Sequence, residues 1–247
     1  MIIEALAFAT QRAAPGARAT GVAAEQAAIV ARYIRCRRAW LPHLARCRAF
    51  VQSAVARTRQ RRRAVVLGSG PLLDIPLAAL SAAFDEVILV DAVHPLHARL
   101  AARRLGNVVA LPFSLVAHGA SPPTYRSWRH AVAGADIVVA SMLLSQLAPP
   151  RATDPRAGWR HALVADALAD LGGGGEAACL VTETACVIHG PGEGRSEEDP
   201  LHGVPAPPAL ERWQWALAPP GERGDGAEVV LQVSACLRLA GEGAWLG

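Results

Sequence analysis

Residues Ala64–Leu80 read AVVLGSGPLLDIPLAAL, and the fold turns on this stretch. An apolar run, Ala64-Val65-Val66-Leu67, breaks into Gly68-Ser69-Gly70-Pro71, and apolar residues then resume at helical spacing. Strand, glycine turn and helix together make a cradle for a nucleotide-type ligand. Glycines let backbone N–H groups come close to it, and the helix offers its positive N-terminus. Leu73 stands where the G-x-G-x-x-G dinucleotide fingerprint requires its third glycine.

Outward from this stretch the chain alternates strand and helix. Candidate strands are 64–67, 87–90, 108–111, 136–140 and 177–182, with helical patterns near 74–84, 95–105, 124–133 and 159–171. The strands are uninterrupted apolar runs, so both faces of the sheet are covered, as in a parallel sheet with helices on each side. The run Gly172–Gly175 forces a break before the fifth strand. The chain then closes with ERWQWALAP, a polar turn and EVVLQVSACLRL, which read as an antiparallel hairpin. The predicted fold is therefore α/β: a doubly wound, mostly parallel seven-stranded sheet with a C-terminal antiparallel hairpin, preceded by an N-terminal helical segment. The Gly/Pro-rich segment 189–209 is too polar and broken for core and reads as a long loop.

Residues 1–63 form the Arg-rich extension and 64–247 the α/β domain. Residues 22–41 predict an amphipathic helix, and Pro42 suits the first turn of a second one. All 25 basic residues are arginine; thirteen lie in 1–63 against Glu4 and Glu25 alone, and twelve face nineteen acids in the remainder. A basic segment on an acidic body either pairs with that body or meets an anionic partner. Five scattered cysteines without C-x-x-C fit reduced thiols in a cytoplasmic protein better than a disulfide framework. The start, MIIEALAFATQR, makes a poor signal peptide, and no apolar stretch reaches the roughly 18 residues a membrane span needs.

Asp91 ends the second strand, twenty-one residues after Gly70, where a carboxylate accepts hydroxyls of a ribose. VLGSGPLLDIP, VILVDAVHP and ADIVVASMLLSQL together resemble the first, second and fourth motifs of class I S-adenosylmethionine-dependent methyltransferases. The closing hairpin is similar to the reversed terminal pair of that family's seven-stranded sheet, which NAD-type Rossmann domains lack. The resemblance covers 64–247 and implies S-adenosylmethionine as cofactor. It implies Gly68, Ser69 and Gly70 near the methionine part, Asp91 on the ribose, and Ser141 and Met142 lining the pocket. It further implies methyl transfer to a small molecule or a protein side chain. The third strand ends without an Asp or Glu, and SMLLSQL replaces any D-P-P-Y-type tetrapeptide, which disfavours methylation of nucleic-acid base amines. The alternatives are a catalytically inactive relative that binds or assembles through its basic helices, an NAD-dependent oxidoreductase, and RNA modification guided by the arginine helices.

Several side chains bear on the chemistry. Asp74 either caps the following helix or contacts the cofactor's amino group, with the cap favoured. Asp91, His94 and His97 have a spacing that a metal site shares, although the proline between the histidines and the short ligand count argue for separate roles. Glu183, His189, Glu193, Asp199 and His202 fall toward the ligand-binding edge of the sheet. A general base acting on a substrate would come from that side, with His189 and Glu183 as candidates. Trp213 and Trp215 alternate onto one face, packing on the sheet or walling a planar substrate.

Overall fold

The computed structural model describes residues 2–117, 123–130, 132–147, 158–192, 194–242 and 244–246. The main sheet contains β1 (Arg63–Leu67), β2 (Glu86–Asp91), β3 (Val108–Pro112), β4 (Ile137–Ser141), β5 (Ala177–His189), β6 (Arg195–Glu198), β7 (Glu211–Ala218) and β8 (Glu228–Arg238). Their order is β7-β8-β5-β4-β1-β2-β3, with β6 along the far half of β5. The pairs among β1 to β5 are parallel; β8 runs against both β5 and β7. This is the reversed terminal pair expected of the class I methyltransferase sheet, and among the described residues no sixth parallel strand follows β5 as an NAD-type domain would require.

Chain direction reverses between β1 and β4. From β1 the connections run outward to β2 and β3; β4 returns to the other side of β1 and leads to β5. Ligands bind in open α/β sheets at this crevice, beyond the carboxyl ends of the strands. The strands that flank it are buried on both faces: Val65, Val66, Val138 and Val139 have no exposed surface.

The helices are α1 (Ile2–Thr10), α2 (Val22–Arg57), α3 (Leu77–Ala83), α4 (Leu96–Leu105), α5 (Leu144–Leu147) and α6 (Gly158–Gly173). One sheet face packs against α2 and α3, with Trp40, Cys47, Phe50 and Leu80 in its core; the other takes Leu163, Val164 and Leu171 of α6, together with Trp128. Among the described residues no helix is long and apolar enough to cross a membrane.

Four expectations are corrected. Residues 22–57 are one helix with Pro42 inside it, not two helices meeting at Pro42. The proline removes an intrahelical hydrogen bond, but the helix is held on both sides of it. Trp40 donates its indole N–H to Leu217 O at 3.0 Å, and His43, Leu44 and Cys47 are buried. Residues 124–133 do not form the expected helix: Thr124–Tyr125 pair antiparallel with Val116–Ala117, and residues 128–130 turn. Tertiary contacts override the helical pattern there. The Tyr125 and Ser127 hydroxyls both donate to Asp170 Oδ2, and Arg129 grips the same residue. The fifth strand continues to His189 because β8 pairs with it along its whole length, and the supposed loop 189–209 contributes β6 to its edge.

Part of the arginine-rich extension pairs internally. Arg35 bridges Glu222 at 2.7 Å, Arg62 bridges Asp136 at 2.7 Å, and Arg63 bridges Glu86 at 2.6 Å. Asp136 is buried at the start of β4 and also accepts the backbone N–H groups of Arg62 and Arg63. Burial pulls its carboxyl up, but these donors and the Arg62 guanidinium outweigh it and hold the pKa below the ordinary value.

Candidate functional site

β1 ends at Leu67, and the next residues fold back against the tip of β2. Gly68 N–H donates to Val90 O at 2.9 Å, Gly70 N–H donates to Asp91 Oδ2 at 2.8 Å, and Val93 N–H donates to Asp91 Oδ1 at 2.8 Å. Asp91 therefore shapes the glycine loop as well as facing the crevice. A carboxylate oxygen accepts more than one hydrogen bond, so these N–H groups do not exclude a ligand hydroxyl. Burial pushes this carboxyl above its usual range, against the Val93 and Gly70 N–H groups and the nearby His94.

Across the crevice, β4 delivers Ser141 and Met142. Met142 takes a left-handed conformation, φ 52°, and its N–H donates to Val181 O at 2.8 Å. Leu143 then comes so close to the glycine loop that a Cβ on Gly68 would lie 2.9 Å from Leu143 Cδ1 and 3.1 Å from its Cβ. Gly68 has φ +66°, so glycine is required here for both conformation and space. The crevice thus brings Gly68, Ser69, Gly70, Asp91, Ser141 and Met142 together at one edge.

The N-terminal segment crosses this edge. Arg12–Ala13 pair antiparallel with Val93–His94, Ala14 N–H donates to Ala92 O at 2.7 Å, and Arg99 donates to Thr10 O at 3.2 Å. Gln26 of α2 sits over the loop, with Nε2 3.0 Å from where a Gly70 Cβ would stand. Sequence reasoning missed this strap. Its residues carry no ligand-binding pattern, and only the tertiary fold lays them beside the glycine loop.

Among the described residues, several buried polar atoms here have no hydrogen-bond partner: Ser69 Oγ, Glu183 Oε2, Gln26 Oε1 and both amide atoms of Gln11. Leaving such a group unpaired costs about 1–3 kcal/mol, so orphans gathered at one strand edge mark a place where a polar ligand fits. S-adenosylmethionine is such a ligand. Its ribose would offer hydroxyls to Asp91, and its amino-acid end would offer charges to the hydroxyl and carboxyl groups.

The remaining candidates separate. Glu183 lies on β5 two residues past Val181, the register partner of Ser141, and it is buried at the crevice. His189 lies eight residues past Val181 on β5, roughly 26 Å along it at about 3.3 Å per residue. It is exposed and pairs with Arg195 and Glu228, so the fold keeps it out of the group. Asp199 closes a turn by accepting Leu201 and Gly203 N–H at 2.8 and 2.6 Å, and His202 lies within that turn. Glu193 lies outside the described residues. His94 and His97 each hold a different backbone carbonyl, Leu111 O at 3.0 Å and Pro71 O at 2.9 Å.

Asp74 does not cap α3; Pro76 occupies the cap, and no side chain bonds there. Trp213 and Trp215 are buried against α2, where His43 stacks on Trp215 at 4.0 Å and accepts from Trp213 Nε1 at 3.0 Å. One turn of α2 puts Cys47 Sγ 3.5 Å from His43 Nε2. Burial drives the thiol far up and the imidazole down to about 3, so both stay neutral and the pair serves packing.

No family model matches the chain, and neither does any curated protein. Among solved structures the chain is similar to 1,6-didemethyltoxoflavin-N1-methyltransferase of Burkholderia thailandensis, crystallised with 1,6-didemethyltoxoflavin and S-adenosylhomocysteine. The identity is 15%, 91% of each chain is covered, and the TM-score is 0.41. It is also similar to an O-methyltransferase family protein from Burkholderia thailandensis, 16% identical over 90% of this chain and 61% of that one, with a TM-score of 0.40. A third similar structure is DhpI in its SAH complex, 15% identical over 97% and 98% of the two chains, with a TM-score of 0.38.

Proposed function

We propose that this chain is an S-adenosylmethionine-dependent methyltransferase acting on a small molecule. The observation that carries the reading is the pair of unpartnered buried polar atoms, Ser69 Oγ and Glu183 Oε2, around the reversal point of the sheet among the described residues. Asp91 at the tip of β2 stands beside it. When bound, the cofactor supplies an electrophilic methyl group on a sulfonium.

The chain's own part is positioning and exclusion of water. Gly68, Ser69 and Gly70 let the backbone approach the methionine part. Asp91 holds the ribose, and Ser141 and Met142 form the opposite wall. The strap through Arg12–Ala13 and Gln26 covers the edge. Methyl transfer by in-line displacement gains most from such positioning, which accounts for a site with few reactive side chains.

Calorimetric titration of S-adenosylmethionine, S-adenosylhomocysteine and NAD into the purified chain tests the reading. Micromolar binding of the first two and none of NAD is the expected result. Binding of NAD alone, or of none of the three, overturns it.

A further inference from the structure

The ion pairs of the N-terminal extension account for only some of its arginines. Within α2, Arg32 and Arg35 reach Glu222 at 3.7 and 2.7 Å, and Arg35 also lies 3.9 Å from Glu4. Arg37 and Arg38 are exposed, and among the described residues neither side chain has an ion-pair or hydrogen-bond partner. At 3.6 residues per turn, Ile34, Arg37, Arg38 and Leu41 fall within about 100° of arc. Ile34 is 50% and Leu41 45% exposed, so two aliphatic side chains and two arginines share one outward stripe. The other side of the same turns is locked into the core: Cys36 and Trp40 are buried, and Trp40 bonds Leu217 O. The helix therefore cannot roll to hide the stripe. A groove of about 700 Å³ runs beside it, lined by Ile34, Arg37, Arg38, Ala39, Leu41 and Pro219, which follows β7. On α1, which packs along α2, Leu6 is 66% exposed and adds a third bare aliphatic side chain.

We propose that this stripe of α2 docks the protein on an anionic bilayer surface. Ile34 and Leu41 enter between the headgroups, and Arg37 and Arg38 bond the lipid phosphates. The proposal goes beyond the methyl-transfer reading and does not depend on it.

Charge complementarity selects this partner. Residues 1–63 carry thirteen Arg against Glu4 and Glu25 alone, and the acids nearest the stripe, Glu222 and Glu4, are taken up by Arg32 and Arg35. Headgroup phosphates supply the missing anions, and the planar guanidinium fork matches phosphate oxygens. The arginine stems can lie along the apolar layer while their heads stay among the phosphates. Aliphatic and arginine side chains on one exposed helical surface are the pattern of helices that lie in a headgroup interface. A nucleic-acid backbone would satisfy the arginines but leave Ile34 and Leu41 in water. The aromatic rings that could stack bases are turned inward, with Trp40 2% exposed and Tyr33 packed 6.1 Å from it.

The test is co-sedimentation of the full chain with vesicles of phosphatidylcholine alone and of phosphatidylcholine mixed with phosphatidylglycerol. Binding is expected to the mixed vesicles only, and should vanish near 1 M salt, where the screening length shrinks to about 3 Å. Arg37→Gln and Arg38→Gln should each lower partitioning about fivefold. Ile34→Ala combined with Leu41→Ala should lower it about tenfold. Arg57→Gln is the charge-matched control, about 30 Å further along α2, and should change partitioning by less than about twofold. All five positions are exposed, so the variants keep the fold, as their thermal unfolding should show. Absence of binding to the mixed vesicles overturns the proposal. Equal loss from Arg57→Gln would assign binding to net charge, and an indifferent alanine pair would leave a plain anion patch; either result overturns it too. Retention of single-stranded RNA without vesicle binding would give the stripe to nucleic acid instead.

Discussion

Replacing Gly68 by alanine probes the crevice most directly. The substitution meets two separate penalties. A left-handed φ of +66° costs an L-residue about 1–2 kcal/mol. The added methyl also lands 2.9 Å from Leu143 Cδ1 and 3.1 Å from Leu143 Cβ. A leucine tip can swing away, but its Cβ moves only with the backbone of the turn after β4, so overpacking adds about 1–3 kcal/mol. Alanine also restricts the unfolded chain, which returns about 0.4–1 kcal/mol. Gly221 supplies the control, because its φ of +84° is similar and a methyl there meets nothing within 4 Å. Gly68→Ala should therefore lower stability by about 1–3 kcal/mol more than Gly221→Ala in urea denaturation. In a chain of this size that is a further drop in Tm of roughly 2–12 °C. Adding Leu143→Ala to Gly68→Ala should cost less than the two single changes summed. Equal losses for Gly68→Ala and Gly221→Ala would refute the close approach of β1 and β4 from which the crevice is built.

Asp136→Ala leaves the N–H groups of Arg62 and Arg63 without an acceptor, and about 2–4 kcal/mol should be lost in chemical denaturation. Because the folded pKa of Asp136 lies below its ordinary 3.8, its contribution should be complete at neutral pH and disappear as the pH falls through that lowered value. Glu183 behaves oppositely: its folded pKa is raised, so its stabilising term is present below about pH 4 and lost as the pH rises through the folded value. Without cofactor, Glu183→Gln should thus gain stability relative to wild type as the pH rises above the ordinary 4.5 toward the raised folded value, measured as a widening Tm difference; a constant difference would argue against a buried, protonated carboxyl. His43, held neutral down to about pH 3 by burial, should show no imidazole titration by NMR between pH 8 and 5. His43→Phe should keep the stack on Trp215 but leave Trp213 Nε1 unpaired, at a cost of about 1–3 kcal/mol in thermal or urea unfolding.

The local pattern of residues was enough to establish the alternating strands and helices, the glycine loop with Asp91 twenty-one residues after Gly70, and the closing hairpin. Each of these depends on periodicity, on turn chemistry, or on a short fixed spacing, and such signals act between residues near in the chain. Segment 124–133 had helical periodicity too, yet Asp170, far along the sequence, draws Tyr125, Ser127 and Arg129 into another conformation. Pro42 looked like a boundary, but burial of Trp40, His43 and Cys47 on both sides of it carries the helix through. Asp74 had the sequence context of a cap, but in the fold Pro76 takes that place. Only the fold brings the strap of Arg12–Ala13 and Gln26 to the glycine loop. Sequence determined which elements form and where a ligand loop lies along the chain. Tertiary structure alone decided which polar groups share the crevice, because side chains from distant strands and helices meet there only once the sheet is ordered and covered.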